Sequence, residues 1–255
     1  MNLGVVISVY NGIEFLEECL KDWILLRSKL GIKIAIVDCL FESFPGDSPN
    51  SNDGTVELLE EYLHDGKIDF FQKLQTNLKE NEARNVGIEY LLKQEVSHVL
   101  TTAPDEIFKA SDIEKLFTYL ENESDSVLYY LNYKNYIGNK NTYVLGFCPK
   151  RIWKVQFYNL FFNGLRFDDD GAFFDAYANR LIKDDMLPSS IIPDLQIRHY
   201  SWLDGEASRK KIEYQKSRGW VCSYKTDENN KVLLNEEFYK NNLNVKIPVI
   251  YNDQP

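Results

Sequence analysis

The sequence predicts an α/β fold, with a mixed, mostly parallel sheet flanked by helices. Three observations carry this. Residues 3–9, L-G-V-V-I-S-V, are an unbroken β-branched run, the pattern of a strand buried on both faces. Residues 13–27 put Phe15, Leu16, Cys19, Leu20, Trp23 and Leu26 on one helical stripe, and residues 32–37, I-K-I-A-I-V, return to a strand ending at Asp38. Such a strand–helix–strand unit is a right-handed crossover between parallel strands. Finally, residues 81–94 space Ala83, Val86, Gly87, Tyr90 and Leu91 as a helix, and the apolar run 96–102 after it stops at A-P-D-E.

The remaining elements follow in order. Residues 39–54 hold two prolines and two glycines and read as a loop at the sheet edge; a loop this long is usually functional. A helix follows from Thr55 to Leu63, with Asp53 or Thr55 as its cap. Residues 67–74 read as a third strand and 111–121 as a short helix, with Ser111 a candidate cap. Two aromatic-rich segments, 126–137 and 141–149, flank G-N-K and predict a hairpin. Residues 150–162 are dense in aromatics, which suits core packing or a sugar-stacking surface. Next comes R-F-D-D-D-G-A-F-F-D, with a helix expected from about Ala172 to Ile182. Residues 189–200 make a last strand ending in His199, and a basic helix spans 201–218. The polar residues after it read as a loosely packed tail.

Composition bounds the function. Hydrophobic residues make up 44% of the 255 residues and aromatics 14%, enough for a well-filled core. The net charge of −10 weighs against a nucleic-acid backbone as the main partner. The four cysteines form no C-x-x-C pair, so no zinc or redox motif is suggested, and reduced thiols in a cytoplasm are expected. The start of the chain lacks a basic region before its short apolar run and reads as a strand, not a leader. No run of about 18 apolar residues occurs. Internal repeats and Gly-rich phosphate loops are absent.

Candidate chemistry lies in the acids. In open α/β sheets, ligands sit outside the carboxyl ends of the strands. Asp105 and Glu106 follow a strand there, where a carboxylate serves a hard cation beside a phosphate or, more plainly, caps a turn. Asp168, Asp169 and Asp170 precede the expected helix. Its dipole accounts for one or two of them, and three adjacent like charges need further relief.

The order of these motifs resembles the family 2 glycosyltransferases. V-V-I-S-V-Y-N-G is similar to that family's first strand, and I-A-I-V-D with N-D-G-T to its second strand and S-x-D-G-T loop. N-E-A-R-N-V-G-I resembles its A-R-N-x-G helix, A-P-D-E stands at its D-x-D, and H-Y-S-W-L-D is similar to the ending of many members. The resemblance covers roughly residues 3–215. It implies the Rossmann-like GT-A fold over 1–215, with a nucleotide half to about 110, an acceptor half after it, and a small helical extension over 216–255.

The resemblance also implies roles. Val9, Tyr10, Asn11, Asp38, Asp53, Arg84 and Pro104 would hold the donor nucleotide. Asp105 would bind Mn²⁺ or Mg²⁺, with His199 a further ligand and Glu106 a possible helper. The base would be Asp170, with Asp168, Asp169 or Asp175 as alternatives. Ala103 replaces the first acid of D-x-D, the S-x-D-G-T loop is stretched by an insertion, and the family's E-D base motif is broken. The expected activity is inverting transfer from a nucleotide sugar, UDP-linked first, to a glycan or other hydroxyl acceptor. The rival readings are a GT-A-shaped protein that binds without turnover and a nucleotidyltransferase. A homodimer is also compatible.

Overall fold

A computed structural model describes residues 1–75, 77–123, 125–157, 160–161, 165–167, 173–175, 180–182, 187–219, 221–242 and 246–253, with side chains left out over 156–182. The first half runs β1 (Leu3–Val9), α1 (Ile13–Leu30), β2 (Lys33–Asp38), α2 (Thr55–His64), β3 (Phe70–Lys73), α3 (Glu80–Lys93), β4 (His98–Thr102), β5 (Glu106–Ile107) and α4 (Ala110–Asn122). Then come β6 (Leu128–Gly138), β7 (Thr142–Phe147), β8 (Lys150–Lys154), β9 (Gln156–Phe157), β10 (Leu160–Phe161), β11 (Leu165–Phe167), β12 (Phe173–Asp175) and β13 (Arg180–Ile182). The chain ends with β14 (Ser189–Leu203), α5 (Glu206–Ser217), β15 (Tyr224–Thr226), β16 (Val232–Leu234), α6 (Glu236–Asn241) and β17 (Ile250–Asn252).

The main sheet has the order β17-β7-β6-β8-β4-β1-β2-β3. Strands β4, β1, β2 and β3 are parallel, and β8 and β7 run antiparallel to their neighbours. Long β14 lies parallel to β6 and also pairs antiparallel with short β5.

Burial on both faces explains the unbroken apolar strands. Leu3, Val5, Ile7 and Val9 pack into one core with Leu16, Leu20 and Trp23 of α1 and Ile113 and Leu116 of α4. Val6 and Ala35 face the other way, against Ile88 and Leu91 of α3. Gly87 permits this approach, since a Cβ there would stand 2.5 Å from Val6 Cγ2. Each fully buried leucine or isoleucine contributes about 1.5–3 kcal/mol by leaving water. The α3 and α4 N-termini are closed by Glu82 and Asp112, whose carboxylates accept the Lys79 and Lys109 amides at 2.9 and 3.2 Å. Ser111 is therefore inside α4 rather than its cap.

Three expectations change. Where a helix is expected over 172–182, the described residues 173–175 and 180–182 are the paired strands β12 and β13, and β11 extends the ladder. Consecutive Phe173 and Phe174 suit a pleated strand better than a helix. Strand β14 runs on to Leu203, so the basic helix starts only at Glu206. The tail is not loose: Cys222, Tyr224 and Val232 are buried with Ile137, Val144, Trp202 and Ile212, and β17 joins the main sheet at β7. The expected boundary at residue 215 falls within α5. Among the described residues, no helix is long and apolar enough to cross a membrane.

Candidate active site

A cavity of about 390 Å³ opens at the carboxyl ends of β1 and β4. Its walls include Val9, Tyr10 and Asn11 after β1, Phe44 and Pro45 from the long loop, Pro104 and Asp105 after β4, Ser201 of β14, and Lys211 and Tyr214 of α5. The loop reaches across because Phe44 packs edge-on against both Tyr10 and Tyr214, with ring centroids 5.8 and 5.2 Å apart. Gly46 lies so close to the Tyr10 ring that any side chain would collide with it.

The two acids after β4 face opposite ways. Glu106 is buried, and its carboxylate accepts Tyr133 Oη at 2.7 Å, Thr102 Oγ1 at 2.9 Å and Arg151 Nε at 3.2 Å, with Arg151 Nη2 on the other oxygen. Burial works to raise this carboxyl, and the Arg151 charge overrides it and holds it below its ordinary value. Asp105 instead reaches the cleft. Its Oδ2 accepts Lys211 Nζ at 3.2 Å and the Ser201 hydroxyl. Burial again opposes ionisation, and the Lys211 charge prevails, so the carboxyl sits well below the ordinary range. Asp105 Oδ1 is buried with no hydrogen-bond partner.

Strand β14 assembles this corner. His199 pairs with Glu106 of β5, and the Tyr200 amide donates to the Asp105 carbonyl at 2.9 Å. A bulge between His199 and Trp202 turns the strand, a device that re-aims side chains beside sites. His199 and Ser201, two residues apart, thus both meet Asp105. Burial pushes the His199 imidazole down to about 4, so it is neutral near pH 7. Its Nδ1 meets the Asn135 side-chain amide and its Nε2 meets the Ser201 hydroxyl, whose single O–H serves either Nε2 or Asp105 Oδ2.

Asp38 at the end of β2 and Asp53 in the loop after it brace the cleft from behind. Asp38 is fully buried, and its carboxylate accepts the Ser51 amide at 3.0 Å and the Ser51 hydroxyl. Asp53 accepts the Ile13 and Thr55 amides, each at 3.1 Å, and so ties together the first residues of α1 and α2, whose cap positions are Gly12 and Gly54 rather than Asp53 or Thr55. Asn11, in the left-handed region at φ 50°, accepts the Asn52 amide at 2.9 Å.

A family model described as Glycosyl transferase family 2 matches residues 4–189. The chain belongs to glycosyl transferase family 2. Two solved structures of S. aureus TarS residues 1–349 resemble this family 2 chain. The complex with UDP-GlcNAc is 18% identical, with a TM-score of 0.54 over 82% of this chain and 61% of that one. The structure of TarS 1–349 alone is 19% identical, with a TM-score of 0.51 over 85% of this chain and 64% of that one. This chain therefore spans less than two thirds of those relatives, and at such identity the likeness establishes the fold, GT-A. No curated protein matches the sequence.

Within this family 2 fold, Val9, Tyr10, Asn11, Pro104 and Asp105 line one cavity. His199 stands behind the wall, its Nε2 3.9 Å from Asp105 Oδ2. Asp38 and Asp53 point into the loop framework instead. Arg84 is ion-paired with Glu80, which does line the cavity. Asp168, Asp169 and Asp170 lie outside the described residues, and of Asp175 only the backbone, at the end of β12, is described.

A divalent ion is poorly provided for. The interval between Asp105 Oδ2 and His199 Nε2 is bridged by the Ser201 hydroxyl, and Lys211 adds a positive charge to the same oxygen. Glu106 is committed to Arg151, and Ala103 brings no carboxylate. Among the described residues, no cluster of three acidic, histidine or cysteine side chains could hold a metal. Among the described residues, the donors around Asp105 do not fit the expected Mn²⁺ or Mg²⁺ site.

Sequence reading missed Ser51, Ser201, Phe44 and Lys211. Ser51 is the serine of S-N-D-G-T, and Ser201 shares the strand face of His199 at period two, so both were legible in principle. Phe44 and Lys211 carried no local signal.

Proposed function

We propose that this chain transfers a sugar from a nucleoside-diphosphate sugar to a hydroxyl acceptor, with inversion at the anomeric carbon. The observation that carries the reading is the meeting, in one cleft at the strand ends, of the aromatic rings of Tyr10 and Phe44 with the Asp105–Lys211 pair. Rings suit a nucleobase, and a cationic pole suits a diphosphate. Family membership and the cleft's place on the sheet support it. A UDP-sugar is the first choice, because TarS is described in complex with UDP-GlcNAc and with UDP.

Tyr10 and Val9 lie against the base, and Asn11 and Pro104 bound the ribose and diphosphate. Asp38, Asp53 and Ser51 hold the wall in place. In the transfer, an acceptor oxygen attacks the anomeric carbon and its proton passes to an aspartate. The bond from that carbon to the phosphate oxygen breaks, and the diphosphate leaves with the electron pair. The base is drawn from Asp170, Asp168, Asp169 or Asp175. The acceptor is a glycan or another hydroxyl compound; the charge of −10 weighs against nucleic acid.

Thermal unfolding with a panel of nucleotides and nucleotide sugars tests this. Binding to the native state raises Tm by linkage. A rise with UDP and a UDP-sugar, together with release of UDP in the presence of an acceptor, supports the transferase. A rise with no turnover on any acceptor leaves a binding module. No rise with any member of the panel ends the reading of this cleft as a donor site.

A further inference from the structure

We infer that Lys211 supplies, in this cleft, the positive charge that a divalent ion would otherwise bring to the donor diphosphate, so that nucleotide binding does not need a metal. The inference rests on the donor-site reading above. Four observations converge on it. Asp105, the acid retained after Ala103, already has a cation on Oδ2: Lys211 Nζ, 3.2 Å away. The Ser201 hydroxyl fills the interval to His199 Nε2, where a shared ion would sit, and Lys211 donates to that hydroxyl as well. The adjacent acid, Glu106, is turned into the core by Arg151 and cannot complete a ligand set. A metal beside Asp105 would also meet the ammonium of Lys211 at close range, like charge against like.

Lys211 is suited to the task by position. It projects from the second turn of α5, lines the cavity and is a third exposed, so its Nζ is open to a ligand on one side and anchored by Asp105 on the other. Its Nζ also stands over the Trp202 ring, 5.4 Å from the centroid. The three donors of an ammonium serve a carboxylate, a hydroxyl and a phosphate oxygen together. Asp105 is then a positioning residue, aiming Lys211 rather than holding an ion.

The test is calorimetric titration of the whole chain with UDP, and with uridine as the ligand that lacks the diphosphate. Each titration is run in excess chelator and again with Mn²⁺. The wild type is expected to bind UDP in chelator, with a Kd that Mn²⁺ changes by less than about threefold. Lys211→Gln should weaken UDP about tenfold while leaving uridine unchanged, and Lys211→Arg should keep most of the affinity. Lys216→Gln, on the same helix outside the cavity, should behave as wild type. UDP binding that appears only with Mn²⁺, or a Lys211→Gln variant with wild-type UDP affinity, overturns the inference. Absence of both UDP and uridine binding in every condition overturns the donor-site reading itself, a distinct result.

Discussion

Asp105 and Glu106 are neighbours in the chain, yet they sit in two different kinds of place. Glu106 is 1% exposed and forked by Arg151, with Tyr133 and Thr102 completing its shell. Asp105 is 19% exposed, is met by a lysine that is itself a third exposed, and has one oxygen without a partner. A planar guanidinium and two hydroxyls leave Glu106 nothing further to bind, which marks a structural pair. A lysine that is itself a third exposed leaves the Asp105–Lys211 pair open to the cleft, which marks a site. Burial and completeness of the hydrogen-bond shell separate the two where residue type does not.

Breaking the buried side of this comparison should have the largest effect. Arg151→Ala strands a buried carboxylate and is expected to cost about 3–5 kcal/mol of stability. Urea unfolding measures it, and Arg151→Ala with Glu106→Gln should recover part of the loss. Acid should act next. Burial pushes the imidazoles of His98 and His199 down to about 4, below an ordinary 6.5. The unfolded chain therefore binds protons that the folded one refuses, and stability falls as pH drops from about 6.5 toward 4. By pH 5 each histidine should cost on the order of 2 kcal/mol. His98→Gln should make the urea midpoint less dependent on pH over this range.

On the open side, Lys211→Gln should change stability by less than about 1 kcal/mol, because the pair is partly exposed. It should nonetheless weaken UDP about tenfold in the calorimeter, so function and stability separate at this residue. The smallest effect is expected behind the cleft. Asp53→Ala removes the acceptor of the Ile13 and Thr55 amides and should lower stability by about 1 kcal/mol, read from the thermal midpoint, with UDP affinity retained. A large loss of UDP affinity there would move Asp53 from the framework into the donor site.

The same contrast explains what could be read in the chain. Val9, Tyr10, Asn11, Pro104 and Asp105 could be placed at the cavity because they stand at or just after the ends of β1 and β4, and strand ends in a parallel sheet face one rim. Asp38 also ends a strand, but Ser51 draws its carboxylate inward, and a strand-end acid looks the same in sequence whichever way it turns. Between 172 and 182, an acid triplet before Ala172 imitated a helix start, while the paired strands took the aromatics. Phe44 touches Tyr10 only because the loop folds over onto α5.

By itself, the sequence determined the layered sheet. Apolar runs at periods of two faces and of a helical stripe fix which residues leave water, and that selection is local. The tertiary structure alone decided who partners whom at the cleft. Lys211 reaches Asp105 across 106 residues, through a bulge in β14 and the docking of α5. An ion pair between such distant residues depends on the path of every element between them, and no local spacing encodes that path.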